Sequence, residues 1–324
     1  MQPPLPQEVA DVLAQAAACA DALDVDGAIN LYNQVLAKAP KCLHALNGLG
    51  DALLQRGDRE GAIAALRQSV LISPEGDADR YMNLGQLEEG ADALLFLERG
   101  ISILRGERSE AETAQKGSHT AASASGSEVD PLIGTTHALA SALCSLAEVF
   151  LTDFCDHPDA ESRCEGAATE AVALVRPLAE EHQIPEPYVT CASLRLSQSR
   201  PDDAKPLLEM ALAIIRAADE ASPPAFDARK ACAKLLMEVD QAAQALELLQ
   251  VLRLEHDDSL EVWYLTCCAA LQADEPALAL EEANAACEFA QSERCPPDEA
   301  EWLGSLEEVR EDARAACAGT DDME

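Results

Sequence analysis

The chain has 324 residues, 48% of them apolar but only 3% aromatic, and its 59 acidic residues against 23 basic ones give a formal net charge of -36. So large a surplus of carboxylates repels phosphate backbones and anionic lipid, which argues against direct nucleic-acid binding and against a membrane-surface role. Alanine and leucine dominate the apolar fraction, the composition of close helix-helix packing in an all-α chain rather than of sheet.

In chain order, helices are predicted over 7–23 and 27–38, with Asp24 or Asp26 capping the second. The stretch 43–76 repeats this pair. Pro40 and Pro74 lie 34 residues apart, and counting back from each, Ala28, Tyr32 and Val35 match Ala62, Leu66 and Ser69, while Ala16 matches Gly50. Small residues recurring at that period where two helices touch describe a stacked helix-turn-helix array. A third pair opens near Asp77 with Tyr81, Leu84 and Gly85, but Ala93, Leu97 and Gly100 arrive about one helical turn early, so the pair is shortened at 88–90.

Over 106–130 the apolar periodicity is lost, and Ser, Ala, Gly and Thr take over at 117–126, which reads as a disordered insertion. A helix resumes over 135–153, followed by an irregular stretch to 164 and a second helix to about 177. Regular pairs follow at 185–218, 226–259 and 260–293, with Arg200-Pro201-Asp202 as a turn and Pro223-Pro224 as a break. An amphipathic segment at 297–317 covers the exposed end, which such arrays require. The expected organisation is therefore 1–105 with pairs one to three, 106–130 as insertion, 131–293 with pairs four to seven, and 294–324 as a capping helix with an acidic tail.

Catalysis leaves no signature. There is no Gly-rich phosphate loop, no His-Glu-x-x-His helix and no nucleophile elbow, so neither an enzyme nor a cofactor is expected. Cys155, His157 and Cys164 share an irregular loop, but their spacing fits no structural zinc pattern, and no metal is expected. The twelve cysteines fall within helical patterns, residues 1–8 lack the layout of a signal peptide, and no run approaches about 20 apolar residues. A reducing, intracellular compartment is the expectation.

An array of helix pairs presents a long face made by the first helix of each pair, and such a face holds another protein. Read at offsets 2, 5, 9, 12 and 13 of each unit, that face carries Asn47, Asp51, Asp79, Met82, Glu148, Glu186, Glu238, Glu261 and Tyr264, and Tyr81 and Asp153 are candidates beside it. Carboxylates outnumber cations there; Lys230 and Lys234 are the exceptions and stand at helical spacing to Glu238. Residues 255–324 add 20 acidic residues against three arginines. Such a field attracts a basic partner over a Debye length of ~8 Å.

Four stretches go beyond the general repeat: LCSLAEVFLTDFCDHPDAESRCE at 143–165, YVTCASLRLSQSRPDDAK at 188–205, YMNLGQLEEGADA at 81–93 and EVWYL at 261–265. In these the chain resembles the tetratricopeptide assembly chaperones dedicated to ribosomal protein number four of the large subunit. The resemblance implies a tetratricopeptide-like helical-hairpin solenoid, a right-handed superhelix of about seven helix pairs with a C-terminal capping helix. It further implies a chaperone that captures a newly made, strongly basic ribosomal protein, shields its long internal loop and accompanies it from cytoplasm to nucleus as a one-to-one complex of a monomer. The alternative is a general tetratricopeptide scaffold for protein-protein interaction.

Overall fold

The computed structural model describes residues 6–117, 130–219, 221–292, 294–297 and 299–321. Among these residues the chain forms fifteen α-helices and no strand. They run as seven successive pairs, α1 (Gln7–Asp21) with α2 (Val25–Lys38), α3 (Leu43–Gln55) with α4 (Arg59–Ile72), α5 (Asp79–Leu87) with α6 (Gly90–Gly117), α7 (Pro131–Leu151) with α8 (Ala160–Val175), α9 (Glu186–Ser197) with α10 (Pro201–Ala217), α11 (Phe226–Glu238) with α12 (Ala242–Glu255), and α13 (Leu260–Gln272) with α14 (Pro276–Ala290). A final α15 (Leu303–Asp321) closes the series. The helices fall into two compact units, Met1–Ala171 and Val172–Glu324.

One turn design joins most pairs. Leu23, Gly57, Ser199, Asp240 and Asp274 each take positive φ, between 57° and 82°, just past a first helix. In each case the next residue's N–H donates to a carbonyl five residues back: Asp24 to Cys19, Asp58 to Leu53, Arg200 to Arg195, Gln241 to Leu236 and Glu275 to Ala270, at 2.8–2.9 Å. This is the left-handed closure of a helix C-terminus, which satisfies carbonyls that the helix leaves without partners. In the first two turns an aspartate then caps the second helix, Asp24 accepting from the Gly27 N–H at 3.1 Å and Asp58 from the Gly61 N–H at 3.0 Å.

Small residues set the distance between paired helices. A Cβ at Gly50 would lie 2.7 Å from Leu66 Cγ, and one at Gly85 would lie 2.6 Å from the Leu97 side chain, so glycine is what lets α3 meet α4 and α5 meet α6. Ala16, Ala28 and Ala62, the other small residues of the 34-residue period, are fully buried. Arg80 is buried between repeats. Its guanidinium donates to the Ser69 carbonyl at 3.2 Å and hydroxyl at 3.1 Å and to the Ser73 carbonyl, placing a positive charge on the negative end of α4.

The structure departs from expectation in two places. Residues 106–117, assigned above to a disordered insertion, continue α6 as helix to Gly117; positions 118–129 of that insertion lie outside the described residues. The continuation has no apolar stripe because its contacts are polar: Arg108 Nε donates to the Thr136 hydroxyl at 3.2 Å, and Gln115 to Asp130 at 2.9 Å. Secondly, α7, 21 residues, is long and apolar enough by length and composition to cross a membrane. Its apolar side chains Leu139, Leu143, Cys144, Ala147 and Phe150 are buried within the first unit, and Thr135, His137 and Glu148 interrupt the helix surface.

Candidate functional site

In the first unit the chain gathers carboxylates from three helices that the stacking brings together. Asp51 comes from α3, Asp79 from the start of α5 with Asp77 just before it, and Glu107 from the continuation of α6. Two asparagines space the group. Asn83 Nδ2 donates to Asp51 at 3.0 Å, and Asn47 Nδ2 to Asp77 at 3.4 Å, while the Ser69 hydroxyl donates to Asn47 Oδ1 at 2.5 Å. The Asp79 N–H donates to Asp77 Oδ1 at 3.1 Å.

Charges of one sign packed this closely disfavour ionisation. Partial desolvation, then Asp79 and Asp77, raise the Asp51 carboxyl above its ordinary value, opposed by the Asn83 hydrogen bond. Asp79 is raised by desolvation and Asp77, and Glu107 by desolvation, Asp77, Asp79 and Glu110. The charges of Asp77 and Asp79 are thus felt at Glu107, although it is 28 residues from Asp79 in sequence. Among the described residues no lysine or arginine forms an ion pair with these four carboxylates, so the group presents a negative charge that an incoming cation would relieve.

The basic residues are spent elsewhere, largely in tying one repeat to the next. Arg56 pairs with Asp26 at 3.8 Å, Arg59 with Glu89 at 3.2 Å, Arg67 with Glu88 at 2.5 Å and Asp92 at 2.6 Å, and Arg253 with Glu282 at 3.2 Å. Arg229, itself buried, holds Glu255 through both guanidinium nitrogens at 2.9 and 2.6 Å.

The sequence-derived positions separate into three groups. Asn47, Asp51 and Asp79 meet in the acidic group of the first unit; Asp77, Asn83 and Glu107 belong to it too and were missed, Glu107 because it lies in the stretch read as insertion. Glu148 is exposed on α7 and Asp153 in the loop after it, while Glu186 opens α9 and Glu238 ends α11 with an exposed side chain. Tyr81, Met82, Glu261 and Tyr264 form the third group, and their contacts lie within the fold. Tyr81 is buried, its hydroxyl donating to the Pro74 carbonyl at 2.7 Å and its ring lying 6.3 Å from Phe96, and Met82 packs beside Gly100.

Glu261 accepts from both Lys230 at 2.8 Å and Lys234 at 2.5 Å. The two lysines thus serve Glu261 on the next repeat rather than Glu238 on their own helix, and although desolvation opposes it, their hydrogen bonds hold the Glu261 carboxyl below its ordinary value. Tyr264 faces Trp302 with ring centroids 5.4 Å apart. No cluster of three or more His, Cys, Asp or Glu suited to a metal ion occurs among the described residues; His157 accepts the Asp159 N–H at 3.1 Å, and Cys164 is buried on α8.

Comparison with known proteins agrees with this architecture. A tetratricopeptide repeat family model matches residues 13–80. The chain is 32% identical over 272 residues to a probable assembly chaperone of rpl4 from Emericella nidulans, covering 78% of this chain and 62% of that protein. It is 31% identical over 248 residues to a probable assembly chaperone of rpl4 from Schizosaccharomyces pombe, covering 74% and 66%. The chain thus spans somewhat less than two thirds of the length of the curated relatives it matches. A solved structure of the assembly chaperone of RpL4 (Acl4), residues 1–338, superposes with a TM-score of 0.70 at 27% identity, covering 86% of this chain and 99% of that one.

Proposed function

We propose that this chain, a tetratricopeptide-repeat protein related to the assembly chaperones of rpl4, is itself a dedicated chaperone of a newly made, strongly basic ribosomal protein of the large subunit. The observation that carries the proposal is the group of Asp51, Asp77, Asp79 and Glu107, in which Asn83 holds Asp51 and Asn47 holds Asp77, and whose carboxylates form no ion pair with a lysine or arginine among the described residues. A ribosomal protein meets its RNA through lysines and arginines, and a carboxylate surface competes for those same groups. Bound in this way the cargo stays soluble and is kept from RNA until assembly.

The relatives carry the name of chaperones, and the role proposed needs binding and release rather than bond chemistry. The cargo contact assigned here is an extended basic segment such as a long internal loop, in a one-to-one complex that forms in the cytoplasm and travels to the nucleus. Of the candidate positions, Asn47, Asp51 and Asp79 contact cargo directly together with Glu107, whereas Tyr81 and Glu261 support the fold around the surface.

Co-expression with the ribosomal protein of the same organism that corresponds to rpl4, followed by size-exclusion chromatography, tests this reading. The expected result is a 1:1 complex whose affinity falls at least tenfold in Asp51→Asn/Asp79→Asn/Glu107→Gln. Recovery of several unrelated partners and no basic one would favour a general scaffold instead. Undiminished binding by the triple variant would remove the acidic group from the cargo site.

A further inference from the structure

A second recognition feature lies in the other compact unit, where the capping helix meets the last pair. Tyr264, Cys268, Leu271 and Gln272 follow one another along a single stripe of α13, and Ser305, Glu308, Val309 and Asp312 along a single stripe of α15. Between the two stripes is an open cavity of about 240 Å³. It falls below the roughly 300–1,000 Å³ of small-molecule sites and suits one long side chain.

The lining is divided by chemistry. Leu271 and Val309 give apolar wall, and Tyr264 gives an aromatic ring that is itself braced by Trp302 at 5.4 Å. Glu308 and Asp312, one helical turn apart and both exposed, supply carboxylates at the side of α15, and neither forms an ion pair among the described residues. Both carboxylates act on the cavity's interior groups: Glu308 adds to the raised value of the Tyr264 phenol, whose main cause is its hydrogen bond to Cys268, and Asp312 adds to that of the Cys268 thiol, whose main cause is desolvation. The bracing is reinforced by a hydrogen bond, because Glu299, just ahead of α15, accepts the Leu260 N–H at 2.8 Å and so pins the segment before α15 to the start of α13.

We propose that this cavity is a subsite for one arginine side chain of an extended basic protein segment. The aliphatic stem lies along Leu271 and Val309, the guanidinium covers the Tyr264 ring, and its N–H groups donate to Glu308 and Asp312. An acidic surface alone attracts any cation; an apolar wall beside an aromatic face and two carboxylates selects a long planar one. The assignment rests on the chaperone reading above and names residues of α15 that the repeat pattern does not mark.

The test uses the full chain and a fluorescently labelled peptide of eight alternating arginine-glycine pairs, with a citrulline version as the uncharged control, read by anisotropy. Glu308→Gln/Asp312→Asn should weaken the arginine peptide at least fivefold. Glu307→Gln/Glu311→Gln changes the net charge equally on the same helix and should cost less than twofold. Equal losses in the two pairs, or none in the first, would overturn the subsite while leaving the chaperone reading in place. If the unaltered chain binds the arginine peptide no better than the citrulline one, the chaperone reading fails and the subsite with it.

Discussion

Asp51 shows how one side chain carries both a cost to the fold and a use. Its carboxyl is raised by partial desolvation and by Asp79 and Asp77, and it sits in the C-terminal half of α3, where a negative charge opposes the helix dipole. A carboxyl whose folded value is raised binds its proton more tightly in the folded than in the unfolded chain. Its favourable contribution is therefore complete below the ordinary carboxylate value and is lost as pH rises through the raised one. Above that raised value the Asp51 charge stands against those of its neighbours. Asp51→Asn keeps an oxygen for the Asn83 amide and removes the repulsion, so it should stabilise the free chain by about 0.5 kcal/mol at pH 7, the scale of an exposed charge pair, with no gain at pH 3.5. Urea denaturation at the two values checks this, and an equal effect at both would mean that charge is not the cause. The same substitution should weaken basic cargo, so stability and binding move in opposite directions at this residue.

At the level of the helix pair, the turn is the recurrent unit, and its positive-φ residue is filled by glycine in one turn and by leucine in the one 34 residues earlier. Leu23 has φ 59° with its side chain largely exposed, so it pays the left-handed penalty of roughly 1–2 kcal/mol without a compensating burial. Leu23→Gly should stabilise the first unit by about 0.5–1 kcal/mol once the extra freedom of glycine in the unfolded chain is deducted, and Gly57→Ala should destabilise it by a similar amount. Thermal unfolding of the two variants gives shifts of opposite sign if the turn is strained as described. The same repeat logic made most pairs legible in the sequence, because a small residue such as Gly50 or Gly85 is required wherever two helices touch. It failed for the continuation of α6, whose hold on α7 is polar, through Arg108 and Gln115, and leaves no apolar stripe to read. Glu107 was lost with it. Glu261 was placed correctly on its helix, but its neutralisation by Lys230 and Lys234 depends on how one repeat seats on the next, at separations of 31 and 27 residues that no local pattern encodes.

Over the whole chain the decisive quantity is the excess of 59 acidic over 23 basic residues, combined with where the basic ones go. Arg59, Arg67, Arg229, Lys230 and Arg253 are each committed to a carboxylate on a neighbouring helix or repeat, so these cations act as ties between helices, and the acidic excess leaves many carboxylates that cations cannot match. Two effects of salt follow, and they oppose each other. Screening weakens the exposed ties, such as Arg59 with Glu89, which contribute about 0.2–1 kcal/mol each, and acts less on the partly buried ones, such as Arg229 with Glu255, but it also weakens the self-repulsion of a -36 chain, which acts among many more charges. The second should prevail, because the unpaired carboxylates outnumber the pairs. Raising sodium chloride from 20 to 500 mM should therefore raise the melting temperature of the free chain by several degrees, while the affinity for a basic cargo falls at least tenfold as the attraction between opposite charges is screened. Calorimetry on the free chain and titration of the complex at both salt concentrations measure the two slopes. A melting temperature that falls with salt would place the inter-repeat ties ahead of self-repulsion, and an affinity indifferent to salt would mean that apolar contacts rather than the carboxylate surface hold the cargo.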